Sequence, residues 1–227
     1  MPKTYFMIGT EPGVGTTFVS SALLYAADNM GLSTAAMQPI SVGCEESPEG
    51  LRGHDALQLM QAMNVDLDYA RVNPFPLRAK RPPFVAATLE EKRLTVQRIS
   101  GICRGTMMGK HDLMLVEGIG GWRTPINHVE TMAGLAREIN KPVILVVGIA
   151  ETCVNMALLS AEAILRDGLG LAGWIANHPT PEIPHSALYI SQLERALPAP
   201  RLATMAYDDK ADWRTAGRAL DVSSWIR

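Results

Sequence analysis

The order of apolar and helical segments constrains the fold of this chain more than any other feature of its sequence. Six short apolar runs predict strands at Thr4–Gly9, Thr34–Ile40, Asp112–Gly118, Pro142–Ile149, Leu171–Asn177 and Ala199–Met205. Apolar residues at helical spacing predict helices at Thr17–Met30, Leu51–Met63, Leu94–Met108, Thr131–Ile139, Asn155–Arg166, Ser186–Leu197 and, more weakly, Asp212–Ile226. Because strands that are apolar along their whole length need cover on both faces, we expect a doubly wound, mainly parallel α/β sheet flanked by helices.

The composition is that of an ordinary globular protein. The chain has 227 residues, 47% of them hydrophobic, and a formal net charge of −2, which gives no electrostatic reason to expect nucleic acid or an anionic membrane as a partner. No apolar run approaches the ~20 residues that span a bilayer, and the first ten residues do not resemble a signal peptide. The proline-rich stretch Asn73–Phe84 is interpreted as a loop rather than a linker, so we expect a single domain over residues 1–227.

The cysteines indicate the compartment. Cys44, Cys103 and Cys153 are odd in number, far apart and without metal-ligand spacing. Such cysteines are typical of free thiols in a reducing environment. We therefore expect a cytoplasmic protein.

A glycine-rich segment, IGTEPGVGTTFVSS, follows the first predicted strand and opens the first predicted helix. Helix N-termini offer free N–H groups and a positive dipole end, and glycines let the backbone approach a phosphate closely. Gly13 and Gly15 supply that freedom, and the hydroxyl of Thr17 stands where a Mg²⁺ ligand belongs. The segment predicts a phosphate-binding loop; a tight turn without a ligand is the alternative.

Three polar residues at the ends of predicted elements are candidates for the same site. Glu117 ends the strand in LMLVEGIGGW, at the edge where open α/β sheets bind ligands, and an acid there can hold Mg²⁺. Asp55 falls in the first turns of a helix, where a carboxylate is usually a partner of the helix dipole. The amide of Asn177 could read an adenine edge. For Glu117 and Asn177 the alternative is a side chain that caps a turn.

Seven sequence blocks carry a resemblance to a known family. The blocks are YFMIGTEPGVGTTFVSSALLYAA, SPEGLRGHDALQL, VNPF, LVEGIGGWRTP, KPVILVVGIAETCVNMALLSAEAI, GLAGWIAN and LPAP. In order and spacing they resemble the dethiobiotin synthetases, including their enterobacterial paralogues, from about residue 3 to residue 200, whereas residues 201–227 match poorly. The resemblance implies a homodimeric, P-loop NTPase-like α/β enzyme of biotin synthesis.

That family uses ATP, Mg²⁺ and CO₂ or bicarbonate to close a ureido ring on 7,8-diaminononanoate. One amine captures CO₂ as a carbamate, ATP phosphorylates the carbamate, and the second amine attacks and expels phosphate. By position, the resemblance implies that Thr17, Asp55 and Glu117 hold Mg²⁺. It implies that the nucleotide is bound by Glu11, Gly13, Val14, Gly15, Thr16, Thr17, Phe18 and Asn177.

The resemblance also implies which residues contact the diamine and act in catalysis. The substrate-contacting positions are Pro12, Ser41, Cys153, Asn155 and Tyr189. The last three fall in segments that receive the carboxylate end of the substrate across the dimer interface. The catalytic positions are Thr16, Gln38 and Ser41, of which Ser41 lies near the diamine and the carbamate.

Two of the catalytic positions depart from the family. Its loop reads G-T-x-x-x-V-G-K-T, and Thr16 replaces the lysine; its second strand reads YKP, and Gln38 replaces a second lysine. A charge-assisted hydrogen bond is worth ~1.5–3 kcal/mol, so losing two would remove about 10²–10⁵ in rate. Lys80, Arg81 or Arg123 could supply a cation from elsewhere, or be ordinary surface charge.

Three functions stay open from the sequence. The first is a working dethiobiotin synthetase, or a close relative that acts on another amine. The second is a catalytically degenerate paralogue that binds nucleotide or diamine as a sensor or partner subunit. The third is a partitioning-type or regulator-type P-loop ATPase, against which the VEGIGGW and VNPF blocks argue.

Overall fold

The computed structural model describes residues 3–210 and 212–226. In chain order the elements are β1 (Lys3–Gly9), α1 (Thr16–Asp28), β2 (Thr34–Met37), β3 (Ile40–Ser41), β4 (Glu45–Ser47), β5 (Gly50–Arg52), α2 (His54–Ala62), α3 (Tyr69–Val72), β6 (Phe75–Pro76), α4 (Pro83–Leu89), α5 (Val96–Met107), β7 (Leu113–Glu117), α6 (Met132–Ile139), β8 (Val143–Gly148), α7 (Cys153–Arg166), β9 (Leu171–Asn177), α8 (Ser186–Ala196), β10 (Arg201–Met205), α9 (Trp213–Arg218) and α10 (Ser223–Ile226). Among the described residues, no helix combines the length and the apolar character that crossing a bilayer requires.

Six strands form one parallel sheet in the order β10-β9-β8-β1-β7-β2, and pairs such as Tyr5 with Leu115 fix its register. From β1 the chain crosses to one edge of the sheet at β2 and returns to β7, and the next crossover, to β8, starts the other half. This reversal flanks β1, so the carboxyl end of β1 opens into the crevice where such sheets bind ligands. The predicted doubly wound, mainly parallel α/β fold is confirmed.

Apolar side chains bury both faces of the sheet. Successive residues of a strand point to opposite faces, so Phe6 and Ile8 lie in one core, with residues of α5, α6 and α7, whereas Met7 lies in the other, with residues of α1 and α9. Burial of each such side chain stabilises the fold by about 1.5–3 kcal/mol. Both faces therefore need apolar residues, which explains the continuous apolar runs in the sequence.

The second predicted strand breaks before its expected end. The sequence predicts one strand over Thr34–Ile40, but β2 ends at Met37. Pro39 has no N–H to donate to a sheet ladder, so the pairing with β7 cannot continue. Beyond the break, β3 pairs with β6 instead, and Gln38 is left at the carboxyl edge of the main sheet.

Two further segments differ from the sequence expectation. Helix α2 begins at His54 rather than Leu51, because residues 50–52 pair with β4 in a hairpin and Gly50 adopts a φ of 102° that suits its turn. The stretch Asn73–Phe84, expected to be a loop, contains β6 and the start of α4. Helix α4 begins at Pro83, since proline is well suited to the first position of a helix.

The C-terminal segment packs on the first helix. Trp213 is 6% exposed and meets Tyr25 edge-on, with ring centroids 5.8 Å apart. A Cβ at Gly217 would lie 2.7 Å from the carbonyl oxygen of Ala22, so the close approach of α9 to α1 depends on this glycine. The single helix expected over Asp212–Ile226 is divided into α9 and α10.

Trp213→Ala should destabilise the fold through the contact between α9 and α1. Truncation of a buried tryptophan leaves a cavity, so the free energy of unfolding should fall by about 3 kcal/mol, as measured by urea denaturation. Ser224→Ala, at an exposed position of α10, is the control and should change it by less than about 0.5 kcal/mol. Equal stability of Trp213→Ala and the wild type would contradict the packing argument.

Candidate functional site

The loop between β1 and α1 has a conformation that only glycine permits at two positions. Gly13 and Gly15 have φ values of 83° and 81°, in the left-handed region. A Cβ at Gly15 would lie 2.4 Å from Nδ2 of Asn177, which donates a hydrogen bond of 2.7 Å to the carbonyl oxygen of Val14. Because Gly15 has no side chain to cap α1, the first N–H groups of the helix stay available to a ligand.

A cavity of about 440 Å³ opens beside this loop. Its walls are formed by Glu11, Pro12, Gly13, Gly15, Thr16, Thr17, Phe18, Gln38, Val42, Asp55, Gln58, Glu117, Gly118, Ile119 and Gly120. The cavity thus brings together residues from the loop after β1, from α1 and α2 and from the end of β7 that the sequence singled out separately. None of these described wall residues is basic.

Two smaller cavities adjoin the loop. One, of about 240 Å³, shares Gly13, Gly15 and Phe18 with the first and extends to Asn177 and Tyr207. The other, of about 390 Å³, shares Glu11 and Pro12 and extends across Arg123 to Met156 and Leu159 of α7. The loop therefore contributes wall residues to three neighbouring cavities.

Glu117 is a buried carboxylate, with 1% of its surface exposed. Its Oε1 accepts hydrogen bonds from Thr17 Oγ1 at 2.6 Å and from Gln38 Nε2 at 2.9 Å. Its Oε2 has no hydrogen-bond partner among the described residues. Burial raises the pKa of Glu117 to about 7, the hydroxyls of Thr17 and Ser20 and the amide of Gln38 oppose the rise, and the negative charge of Asp55 adds to it.

The cavity wall fits a hard divalent cation. Asp55, Glu117 and Thr17 line one cavity, and one oxygen of the buried Glu117 carboxylate lacks a partner among the described residues. No group of three or more His, Cys, Asp or Glu residues suited to a metal occurs within residues 3–210 and 212–226. A set of few protein oxygens suits Mg²⁺, which usually keeps waters and takes phosphate oxygens as further ligands.

Ser41 lies behind the cavity rather than in its wall. Its hydroxyl donates to Asn73 Oδ1 at 2.7 Å and lies 3.0 Å from the thiol sulfur of Cys44. Gln38, by contrast, reaches the wall and points its amide at Glu117. Of these two predicted residues, the structure brings only Gln38 to the cavity.

Three other predicted residues lie apart from the 440 Å³ cavity within this chain. Cys153 is buried at the start of α7, Asn155 is exposed on the same helix, and Tyr189 is half-buried on α8. None of the three is among the described residues of its wall.

Two of the basic residues considered as substitute cations are engaged elsewhere, and the third lies near the cavity wall. Arg123 forms an ion pair of 2.7 Å with Asp167, and Arg81 donates to the carbonyl oxygen of Lys80. The aliphatic stem of Lys80 packs against Gly43, next to Val42 of the cavity wall.

Sequence reasoning missed several residues that shape the site. Gln58 lines the cavity and donates to Ser21 Oγ at 3.0 Å, which ties α2 to α1. Gln58 lies three residues after Asp55 in the sequence, a spacing that places both side chains on the same face of α2 and so indicates that both can reach the cavity. Tyr69 and Asn73 lie behind Ser41; the VNPF block includes Asn73, but nothing in the sequence suggested what it contacts.

Glu117→Gln should stabilise the protein at high pH and not at low pH, in the absence of nucleotide and metal. The folded-state pKa of about 7 exceeds the ordinary value of 4.5. Below pH 4.5 the carboxyl is protonated in both the folded and the unfolded state, so it does not lower the free energy of unfolding. The cost of the buried charge grows as pH rises and is complete above about pH 7, at up to about 3 kcal/mol.

Thermal unfolding at pH 4.5 and pH 8 measures this difference. Glu162→Gln, at an exposed position of α7, is the matched control and should change the melting temperature equally little at both pH values. A gain in stability for Glu117→Gln that is the same at both pH values would contradict the assignment.

Comparison with known proteins assigns the chain to a family. A family model described as an AAA domain matches residues 3–215. The ATP-dependent dethiobiotin synthetase BioD of Marinobacter nauticus is 49% identical over 180 residues, covering 79% of this chain and 77% of that protein. The ATP-dependent dethiobiotin synthetase BioD of Cellvibrio japonicus is 40% identical over 221 residues, covering 97% and 96%.

Solved structures agree on the fold. The MinC:MinD cell division protein complex of Aquifex aeolicus matches with a TM-score of 0.58 at 12% identity, over 95% of this chain and 86% of that chain. A ParA family ATPase from Chlorobium tepidum matches with a TM-score of 0.56 at 12% identity, over 96% and 90%. These P-loop NTPases confirm the predicted fold class, and the sequence relatives show that this chain belongs to the dethiobiotin synthetase family.

Proposed function

We propose that this protein is an ATP- and Mg²⁺-dependent ligase of biotin biosynthesis that closes the ureido ring of dethiobiotin on 7,8-diaminononanoate with CO₂. The observation that carries the proposal is the convergence of Thr17, Asp55 and Glu117 on one cavity beside a glycine-shaped loop. The relatives named ATP-dependent dethiobiotin synthetase support it. The three cysteines are free and buried, which is compatible with the cytoplasm as the proposed location.

The nucleotide would lie across two of the neighbouring cavities. Its phosphates would accept hydrogen bonds from the N–H groups of the loop, with Glu11, Gly13, Val14, Gly15, Thr16, Thr17 and Phe18 as the proposed contacts. Its base would enter the 240 Å³ cavity beside Asn177. One N–H of the Asn177 amide already supports Val14, so the second N–H and the carbonyl oxygen are the groups left to read a base.

The proposed Mg²⁺ ligands are Thr17, Asp55 and Glu117. When bound, the cation supplies positive charge against the phosphates, which is the main requirement of phosphoryl transfer. Thr17 would offer a lone pair of its hydroxyl oxygen to the cation, and it can keep donating the hydroxyl proton to the Glu117 oxygen. In this arrangement Glu117 acts as an ionised ligand, so its binding to a cation competes with its protonation.

The diamine would occupy the space on the other side of the loop. Pro12 and the 390 Å³ cavity offer an apolar wall for its carbon chain. Gln38 and Thr16 would donate hydrogen bonds to the carbamate and the transferred phosphoryl group. Ser41 would support Gln38 through Asn73, which accepts from the Ser41 hydroxyl and donates to the main-chain oxygen of Gln38. These donors orient the reacting groups but bring no positive charge.

The absence of a basic residue from the described cavity wall favours a second candidate function. A degenerate paralogue would bind nucleotide or diamine without turning them over, as a sensor or partner subunit. The same observation leaves room for an enzyme that acts on another amine.

Phosphate release in the presence of ATP, Mg²⁺, bicarbonate and diaminononanoate tests the function. We expect release that requires all four components, and Thr16→Lys with Gln38→Lys should raise kcat/KM at least about 100-fold by returning two cations. Thr88→Lys with Gln97→Lys adds the same charge at exposed positions and should leave the rate unchanged.

The outcomes separate the candidates. ATP binding without turnover on diaminononanoate or related amines, with a gain in the double lysine variant, would favour the degenerate paralogue. If neither the wild type nor the double lysine variant binds ATP or shows turnover, both the ligase and the degenerate paralogue are ruled out.

We propose further that the protein is a homodimer through the outer faces of α7 and α8. Leu159 and Leu188 are 56% and 69% exposed on these helices. The same helices carry Cys153, Asn155 and Tyr189, none of which lines the 440 Å³ cavity of its own chain. In a dimer these residues would contact the substrate bound to the partner subunit. Helices α7 and α8 pack against each other, so the two exposed leucines lie on neighbouring elements.

Leu159→Glu should disrupt the dimer, because a buried unpaired carboxylate costs several kcal/mol. The dissociation constant should rise at least about 100-fold by sedimentation velocity. Leu89→Glu, at an exposed leucine of α4, is the control and should remain dimeric. A monomeric wild type at all concentrations tested would contradict the proposal.

A further inference from the structure

A chain of hydrogen bonds, buried at Gln38 and Asn73 and half-buried at Tyr69, runs behind the cavity and joins the end of β7 to the start of α2. It passes in order through Glu117, Gln38, Asn73, Tyr69 and Gly53, and is here named the relay. Its first two links both use Gln38. The side chain of Gln38 donates to Glu117 Oε1 at 2.9 Å, and the main-chain oxygen of Gln38 accepts from Asn73 Nδ2 at 2.6 Å.

The last two links both use the hydroxyl of Tyr69. This hydroxyl donates to Asn73 Oδ1 at 3.1 Å and accepts from the main-chain N–H of Gly53 at 2.6 Å. Gly53 is the residue that precedes α2, and it has no side chain with which to cap the helix. Asp55 follows two residues later, so the relay ends next to the second carboxylate of the cavity.

The relay is closely packed at Gln38, Asn73 and Gly53. Gln38 and Asn73 are buried, and Ser41 adds a hydrogen bond to Asn73 Oδ1. A Cβ at Gly53 would lie 2.8 Å from Ser41 Oγ, so the start of α2 is pressed against β3 while Tyr69 holds its N–H. Buried polar groups lose stability when they lose a partner, so each link resists a shift of its neighbours.

We propose that Tyr69 and Asn73 are positioning residues that fix Asp55 relative to Glu117, and so set the geometry of the cation site. The inference rests on the proposed function, because it concerns the proposed Mg²⁺ ligands. Neither residue lines the cavity. Both act on it through other groups: Asn73 through the main chain of Gln38, and Tyr69 through the N-terminus of α2.

The demand for such positioning comes from the cation. Mg²⁺ requires near-ideal octahedral geometry, and its ligands must stay within narrow limits of distance and angle. The proposed phosphate contacts from the loop between β1 and α1 involve no residue of the relay, and the side chain of Gln38, which would meet the transferred phosphoryl group, is left intact by substitutions at Tyr69 and Asn73. Loosening the relay should therefore weaken the Mg²⁺-dependent part of nucleotide binding and leave the metal-free part intact.

Tyr69→Phe removes the shared hydroxyl and keeps the ring. Calorimetric titration of the full chain with ATP, in Mg²⁺ and separately in EDTA, gives the enhancement of affinity by the metal. We expect this enhancement to fall about tenfold, or ~1.4 kcal/mol, while the affinity in EDTA stays within about twofold of the wild type. Tyr25→Phe, which removes a hydroxyl outside the relay, should change neither value.

A second variant, Asn73→Ala, tests whether the links act as one unit. Because both substitutions cut the same relay, the double variant should lose no more of the metal enhancement than the larger of the two single losses. Losses that add in the double variant would overturn the inference, since they would show independent effects.

The remaining outcomes are also decisive. A wild type whose affinity for ATP does not respond to Mg²⁺ removes the proposed function and this inference with it. A wild type that responds, with an equal response in Tyr69→Phe, overturns the inference alone. Equal loss of affinity in Mg²⁺ and in EDTA, with a lowered melting temperature, would assign Tyr69 a purely structural role and also overturn it.

Discussion

The partly satisfied carboxylate of Glu117 is the constraint on which the rest of the site depends. A charge at this depth is costly unless donors or a cation compensate it. Thr17 and Gln38 supply two donors, but both reach the same oxygen, and the other oxygen has no partner among the described residues. A carboxylate that served only the core would be expected to have its partners in place. Among the described residues Glu117 is the buried carboxylate, and its hydrogen-bond shell is incomplete.

The identity of residue 38 decides how that charge is balanced. A lysine, as the family resemblance implies, would bring a positive charge to the place where Gln38 brings a neutral amide. The amide satisfies one oxygen of Glu117 without cancelling its charge. Any compensation must then come from the proton or from a cation in the cavity. Burial raises the pKa of Glu117 to about 7, so a proton and a metal ion would compete for this carboxylate near neutral pH.

The sheet could be predicted from the sequence because its strands are continuous apolar runs, a local property. The break after β2 could not be placed from the apolar pattern, although Pro39 is visible, since the new partner of β3 lies in β6. The clustering of Thr17, Asp55 and Glu117 follows from topology, because each stands at a carboxyl strand end or a helix start facing one edge.

The place of Ser41 could not be deduced from the sequence. Its partner Asn73 is 32 positions away, and only the three-dimensional path of the chain shows that the hydroxyl turns from the cavity. The same holds for Tyr69, whose hydroxyl meets a main-chain N–H with no sequence signature. Hydrogen bonds between distant loops leave no periodic pattern, whereas burial of strands does.

The loop between β1 and α1 owes its shape to neutral contacts: two left-handed glycines, and an amide from β9 that holds Val14 in place. None of these contacts depends on the charge of the residue at position 16. Shape and charge in this loop are therefore separable, so a charged and a neutral residue at that position are both compatible with the same backbone. A lineage can thus lose or redirect its chemistry while the scaffold persists, and an intact backbone is no guarantee of an unchanged reaction.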